Sequence, residues 1–448
     1  GYAGQFGWNF GLASTWAGLG NAFIGSLLAW NVLGRRTRIM TQYLDAKTMP
    51  DFFGKRFNSV PLKVAASVIV FIFLIPYTAS LYNGLSSLFG LVFDIPYWVV
   101  ILVMAILTGF YVIFGGYMAT AINDFIQGII MLFGIVAVIA AVLNGQGGFM
   151  EAVSKMAQIP SDVPATMGQP GAFTAFFGPD PLNLLGVVIL TSLGTWGLPQ
   201  MIGKFYAIKD EKSINTGTVI STLFAIVISG GCYFLGGFGR LFDSAEIYNA
   251  ETGAVVYDSI IPSMLSKLPD ILIGIVVVLV LSASMSTLSS LVLTSSSTMT
   301  LDLLKDNIMK EMSEKKQIIT MQILIVFFIV VSVVIALDPP TFIAQLMGIS
   351  WGALAGAFLA PFLYGLYWKG VTRAGVWAGF IAGVGITVSN MFIGYIASPI
   401  NAGAAAMVAG LVIVPLVSLV TPKLKKEDVD EIFTCYEEKV VSTKKRNL

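Results

Sequence analysis

ILIGIVVVLVLSASMSTLSSLVLTSSSTMTLDLL, residues Ile271 to Leu304, is apolar and long enough to cross a bilayer with residues to spare. Its middle, Ser282 to Thr300, carries a hydroxyl at twelve of nineteen positions. At 100° per residue Ser286, Thr287, Ser290, Thr294 and Ser297 form one stripe, with the backbone of Ala283 a turn earlier and Ser289 at its edge. Oxygens stacked along one helix face are what a small hard cation needs once it has shed its water. Small residues also let membrane helices pack closely and share hydrogen bonds. Both readings stand for any single serine; five aligned hydroxyls at membrane depth favour the ion.

The rest of the chain fits a membrane setting. Of 448 residues 56% are hydrophobic and 11% charged, and the mean hydropathy is +0.83, values that describe a polytopic helical membrane protein. No His is present, which removes imidazole metal sites, His proton relays and Ser-His or Cys-His catalysis together. Cys232 and Cys435 fit neither a disulfide framework nor a metal cluster. A net charge of +1 points to no nucleic-acid partner. The chain opens at Gly1 in GYAGQFGWNFG, already membrane-like and without initiator Met or basic leader, so upstream residues of the natural protein are expected.

Eleven apolar segments follow from hydropathy: Leu12 to Leu33, Leu62 to Phe93, Tyr97 to Phe114, Met118 to Leu143, Leu182 to Phe205, Ile214 to Leu235, Ile271 to Leu304, Ile318 to Leu337, Phe342 to Tyr367, Val376 to Ile396 and Ala404 to Val420. The loop after the first holds Arg35, Arg36, Arg38, Lys47, Lys55, Arg56 and Lys63, which makes that side cytoplasmic. Strict alternation then leaves only Lys155, Arg240 and Lys267 of the 26 basic residues outside. Residues 1–420 thus read as one transmembrane domain and 421–448 as a short charged cytoplasmic tail. The two longer outer connections, Asn144 to Pro181 and Phe242 to Asp270, are expected to be solvated loops, with short helices or a lid as the alternative.

Two segments are interrupted. SLGTWGLPQMIG, Ser192 to Gly203, contains Gly194, Gly197 and Pro199, which break a helix at mid-membrane and free backbone groups there. The opening GYAGQFG is similarly punctuated. Four spans separate the two, so five-helix units that each begin with a broken helix would lie inverted to one another, as in secondary transporters. A kink with a packing role is the simpler alternative. Asp124 is the charged group within the spans that stands out, roughly 9 Å into its helix counted from Met118, with Gln127 on the same face. A carboxylate there needs a partner or a cation, unless it is an interfacial Asp favoured near a helix N-terminus.

Four ordered stretches resemble the sodium:solute symporter family: PDFFGKRF (Pro50 to Phe57), FGGYMATAINDFIQG (Phe114 to Gly128), GLPQMIGKFYAIKD (Gly197 to Asp210) and SMSTLSS (Ser284 to Ser290). Together they span nearly the whole chain and lie nearest the proline and pantothenate branch of that family. The resemblance implies an all-α, LeuT-like core of five plus five inverted helices, here without its first helix, followed by two more. It implies a main sodium site drawing on the carbonyl of Ala283 and the hydroxyls of Ser286 and Thr287. A second sodium site would use Asp124, Ser286, Ser289 and Ser290. The solute would bind at mid-membrane, with Trp196, Pro199 and Gln200 in its wall and Tyr2 near the outer mouth. No acid lies between Leu12 and Leu33, where the sugar branch places a Glu, so a small carboxylate-bearing solute is expected.

Sodium-driven symport in the plasma membrane is therefore the expected function. Sodium is the transported ion, with no metal or organic cofactor; the partners are a small solute and the bilayer. A sensor or channel-like protein on the same scaffold is the alternative from another class. An enzyme is not expected, because no nucleophile with an adjacent base and no paired intramembrane carboxylates are present.

Overall fold

The structure, a computed structural model, describes residues 2–339 and 343–440. Phe342, where the sequence reading starts the ninth span, and tail residues 441–448 lie outside the described residues. Among the described residues regular structure is helical apart from an isolated Tyr248–Val255 bridge. Among the described residues ten helical runs are long and apolar enough to cross a membrane, or eleven when one bent pair is counted as a span. That agrees with the eleven segments read from hydropathy.

The first run is longer than its apolar stretch. Helix α1 (Tyr2–Phe10) passes through a 3-10 turn, Gly11–Ser14, into α2 (Thr15–Ala22), then through π-helical turns at Phe23–Leu28 and Trp30–Gly34 into α3 (Arg35–Leu44). Its 43 residues would extend about 65 Å if straight, twice the ~30 Å hydrocarbon core. Gly11 interrupts it, with φ +62, a left-handed conformation that glycine adopts without cost. The punctuated GYAGQFG is thus not where the helix breaks. Its glycines serve contact instead, for a Cβ on Gly7 would overlap the carbonyl of Gly236. Gly7→Ala is expected to lower stability by about 1–3 kcal/mol, read as a lower apparent Tm in detergent. An unchanged Tm would contradict the packing of Gly7 on Gly236.

Helix α4 (Met49–Arg56) is capped by the Thr48 hydroxyl, which accepts from Asp51 N at 3.1 Å. Helix α5 (Val60–Phe93) follows, and α6 (Tyr97–Gly145) has helical backbone throughout its 49 residues. The sequence reading placed two antiparallel spans with a turn between them in this region, and tertiary contacts exclude one straight helix. Thr108 Oγ1 lies 3.8 Å from Met285 Sδ, while a Cβ on Gly134 would lie 3.1 Å from Leu279. A straight helix would hold Thr108 and Gly134 about 39 Å apart, yet their partners are about 9 Å apart along one helix. Helix α6 therefore does not run straight, and both of its described stretches, Tyr97–Gly115 and Ile122–Gly145, reach the same part of α13.

The second half begins with a short outer helix, α7 (Phe149–Ala157), and then the bent pair α8 (Pro181–Ser192) and α9 (Pro199–Tyr206). Next come α10 (Glu211–Ala225), a π-helical turn Ile226–Gly230, α11 (Gly231–Gly236) and α12 (Ile260–Ser266). The outer connections thus carry the short helices α7 and α12 rather than plain loops, because Ala152, Met156, Ile260 and Met264 find an apolar cluster to enter. Helix α13 (Asp270–Ser297) continues as a π-helix over Thr298–Ile308. Then follow α14 (Glu314–Leu337), α15 (Ile343–Tyr367), α16 (Arg373–Ile393), α17 (Pro399–Val420) and the tail helix α18 (Lys426–Phe433). Helix α15 is the hub: 89% of its apolar window is buried, against half or less for every other span. Phe125, Phe133, Phe327 and Phe392 point outward, as lipid contact allows.

Each face is fastened by arginines. At one end, Arg240 binds both carboxylate oxygens of Asp162 at 3.0 and 2.8 Å, donates to the Trp8 carbonyl at 2.7 Å, and lies over the rings of Trp8 and Phe173. At the other end, Arg56 donates to the Gly365 and Trp368 carbonyls at 2.9 and 3.2 Å, capping the end of α15. Burial pushes Arg56 down to about 10, still protonated at neutral pH. The segment after α18 docks at the same end: Arg35 donates to the carbonyls of Tyr436 and Glu438, and Arg36 lies over the rings of Tyr367 and Tyr436. Cys435 is enclosed there, its thiol pushed up to about 12 by burial.

Candidate ion and solute site

The break between α8 and α9 follows from its residues. The helix tightens to a 3-10 turn over Leu193–Gly197, Leu198 is extended (φ −93, ψ 119), and Pro199 starts α9 at 45° to α8. Proline has no N–H to continue the ladder, and a Cβ on Gly197 would lie 2.8 Å from Leu359 N of α15. Gly197 and Pro199 thus mark an interruption of the helix rather than a simple kink. Two buried side chains at the break are tied to the π-helical turn after α2. Trp196 Nε1 donates to the Ile24 carbonyl at 2.9 Å, and Thr195 Oγ1 reaches the Gly25 carbonyl at 3.5 Å. A π-helical turn redirects backbone carbonyls that an α-helix would use internally.

On α13 the stripe read from the sequence is a physical face. Ala283, Ser286, Thr287, Ser290, Thr294 and Ser297 are all half-buried, whereas Ser284, Leu288, Ser289, Leu291, Val292 and Ser295 are buried. Ser286 Oγ and Thr287 Oγ1 each donate to the Ala283 carbonyl at 3.0 Å, which gathers the three oxygens of the expected main site into one corner. Ala283 and Ala3 border a common apolar cavity of about 210 Å³. Farther in, a cavity of about 370 Å³ is walled by Asp124, Ser290, Thr294 and Ser297, with Pro199, Tyr206 and Thr48. Asp124 Oδ1 is buried there without a hydrogen-bond partner, as is Gln127 Oε1. Among the described residues no basic group lies within 4.0 Å of Asp124, although Lys47 is in the same wall. Of the expected second site, the structure brings Asp124 and Ser290 to one cavity. Ser286 and Ser289 are not in its wall, and fully buried Ser289 donates to the Met285 carbonyl at 2.7 Å.

The expected solute residues separate into three settings. Pro199 faces the inner cavity; Trp196 is sealed against the π-helical turn after α2; and Gln200 has both amide atoms buried without partners. Tyr2 is deeper than an outer mouth. It stacks on Phe6 at 4.8 Å and meets Trp351 edge-on at 6.3 Å, and Trp351 in turn meets Tyr77 at 5.8 Å. Tyr2 Oη and Trp351 Nε1 are buried without partners, so this aromatic group can grip an apolar body and bond a polar end. One turn outward, Gln5, Phe6 and Asn9 open on an outer cavity of about 510 Å³ that also includes Asp162, Asn183, Arg240 and Asn401.

Sequence reasoning missed this aromatic group, since Tyr2, Tyr77 and Trp351 meet only through long-range folding. It also passed over Asp302, although that acid lies inside the apolar segment it delimited. Asp302 Oδ2 accepts from Thr48 Oγ1 at 2.6 Å. Beside it Lys63 pairs with Asp51 at 3.0 Å and with Asp306, while Lys55 pairs with Asp51 at 3.3 Å.

Comparison with known proteins follows from this geometry. The sequence profile described as "Sodium:solute symporter family" matches residues 1–383. A sodium/proline symporter of Staphylococcus aureus is 30% identical over 435 residues, covering 93% of this chain and 80% of the relative. Its counterparts from the JH9 and Newman strains match to the same extent. A solved structure described as the substrate-bound outward-open state of a sodium-coupled sialic acid symporter superposes with a TM-score of 0.71 over 95% of this chain and 87% of that one, at 15% identity. The architecture is accordingly the LeuT-like inverted-repeat fold.

Proposed function

We propose, on the premise that this chain belongs to the sodium:solute symporter family, that it imports a small carboxylate-bearing solute by alternating access. Sodium-coupled symport is the family's activity, and the chain is a transporter, not an enzyme. The solute we favour is an amino acid, with a pantothenate-like or other carboxylate as the nearest substitutes. The 30% identity to a protein named sodium/proline symporter supports an amino acid. The observation that carries the reading is that the α8–α9 break and the oxygen face of α13 meet at one cavity holding the unpartnered Asp124. In this reading Ala283, Ser286 and Thr287 hold the main sodium ion, and Asp124 with Ser286, Ser289 and Ser290 holds a second. The solute rests between the breaks, near Tyr2, Trp196, Pro199 and Gln200. The C-terminal tail faces the cytoplasm, supported by its docking on the Arg35, Arg36 and Arg56 side.

Two ions give the cycle its force. One sodium crossing ~100 mV gains ~2.3 kcal/mol and a tenfold gradient adds ~1.4, so two supply ~7 kcal/mol, enough for a gradient of about 10⁵. The test is uptake of labelled proline by the full-length protein in proteoliposomes, with and without an inward sodium gradient. Accumulation is expected only with the gradient. Binding of solute without accumulation would favour a sensor, and a flux indifferent to sodium would favour a channel.

A further inference from the structure

We propose that Asp302 is the inward acceptor of the transported cation, the last charged station between the second sodium site and the cytoplasm. This rests on the sodium-symport reading above. The inner cavity does not end at Asp124. Its wall runs from Ser290 past Thr294, Ser297 and Thr298 to Thr48 on the neighbouring loop. Thr48 separates this cavity from Asp302, because its hydroxyl donates to Asp302 Oδ2 at 2.6 Å. Ser290, Thr294, Thr298 and Asp302 follow one another at intervals of four along α13 and its π-helical end. A row of neutral oxygens thus joins two carboxylates.

The charge balance says what the row is for. Asp302 is only 4% exposed, and among the described residues no Lys or Arg lies within 4.0 Å of it, since Lys63 and Lys55 are taken by Asp51 and Asp306. Carboxylate oxygens of Asp51, Asp302 and Asp306 lie within 4.8 Å of one another, with Lys63 and Lys55 paired to Asp51 and Asp306 and Lys47 in the wall of the adjoining cavity. A buried acid without a cationic partner in a membrane helix is costly and marks an ion pathway. Tyr206, also in the cavity wall, has its hydroxyl buried without a partner, a further neutral oxygen beside the route. Thr48 is placed to gate it. The same hydroxyl accepts from Asp51 N and donates to Asp302, so separating α4 from the end of α13 uncovers the Asp302 carboxylate to whatever cation fills the cavity. The Asp302 carboxylate is then available to draw the ion off Asp124.

The experiment exploits sidedness. With the full-length protein in proteoliposomes and labelled proline as probe, sodium is titrated separately outside and inside. Asp302→Asn is expected to raise the internal sodium concentration that half-inhibits uptake about fivefold, leave the external half-saturating concentration within about twofold, and be reversed by Asp302→Glu. Equal shifts on both sides, or none, overturn the proposal. Should Asp302→Asn fail to insert, Thr48→Val exposes the same carboxylate and is expected to lower the half-inhibiting internal concentration; no change, or a rise, overturns it. Absence of sodium-dependent proline uptake by the wild type rejects the symport reading itself instead.

Discussion

Thr287→Ala raises the external sodium concentration for half-maximal uptake by about tenfold or more, and Ser286→Ala does so in the same direction; these are the expected results in the full-length protein. The two hydroxyls meet at the Ala283 carbonyl, both 3.0 Å from it, so rotating their protons frees oxygens that already converge. Interactions of a neutral polar group with a charge contribute about 1.5–3 kcal/mol, which translates to roughly 10–100-fold in affinity. Neither side chain touches the Tyr2 and Trp351 group, so the solute's own affinity measured at saturating sodium should change little. Unchanged sodium dependence in both variants would sink the assignment.

Asp124→Asn should reduce the Hill coefficient for sodium from above one to about one, with transport retained at reduced slope. An ionised carboxylate at this depth costs up to ~3 kcal/mol when uncompensated, and among the described residues it has no basic partner within 4.0 Å and its Oδ1 is unbonded. A cation is the natural complement. Ser290 already shares the cavity with Asp124, whereas Ser289 must exchange its bond to the Met285 carbonyl for the ion. Ser286 would serve both sites and so couple them. A wild-type Hill coefficient of one, with one charge moved per neutral solute, would leave Asp124 structural.

The features legible in the sequence were those written in local composition. Hydropathy delimited the spans because lipid demands apolar helices wherever the chain crosses. Pro199 and Gly197 announced the break because no neighbour can restore a missing N–H or admit a Cβ against Leu359. The α13 stripe was legible because helical period alone sets which hydroxyls align. Gly11 was not, since one glycine among several looks alike until its φ is known. The aromatic group was invisible for another reason: Tyr2, Tyr77 and Trp351 belong to three helices that only folding brings together. Asp302 was overlooked near the end of its apolar segment, where an acid ordinarily meets water. Only its burial behind Thr48 distinguishes it.

The docking of the tail on the first basic loop has a consequence for how the protein is made. Arg35 binds the Tyr436 carbonyl, 401 positions later in the chain. At 5–20 residues per second, a ribosome takes about 20–80 s to bridge that interval. Throughout it Arg35 and Arg36 stand without their tail contacts, and arginines beside a span are what hold a nascent loop on the cytoplasmic side. On the proposed orientation the same side chains serve in succession, first as the anchor that orients insertion, then as the seat on which the last-synthesised segment docks.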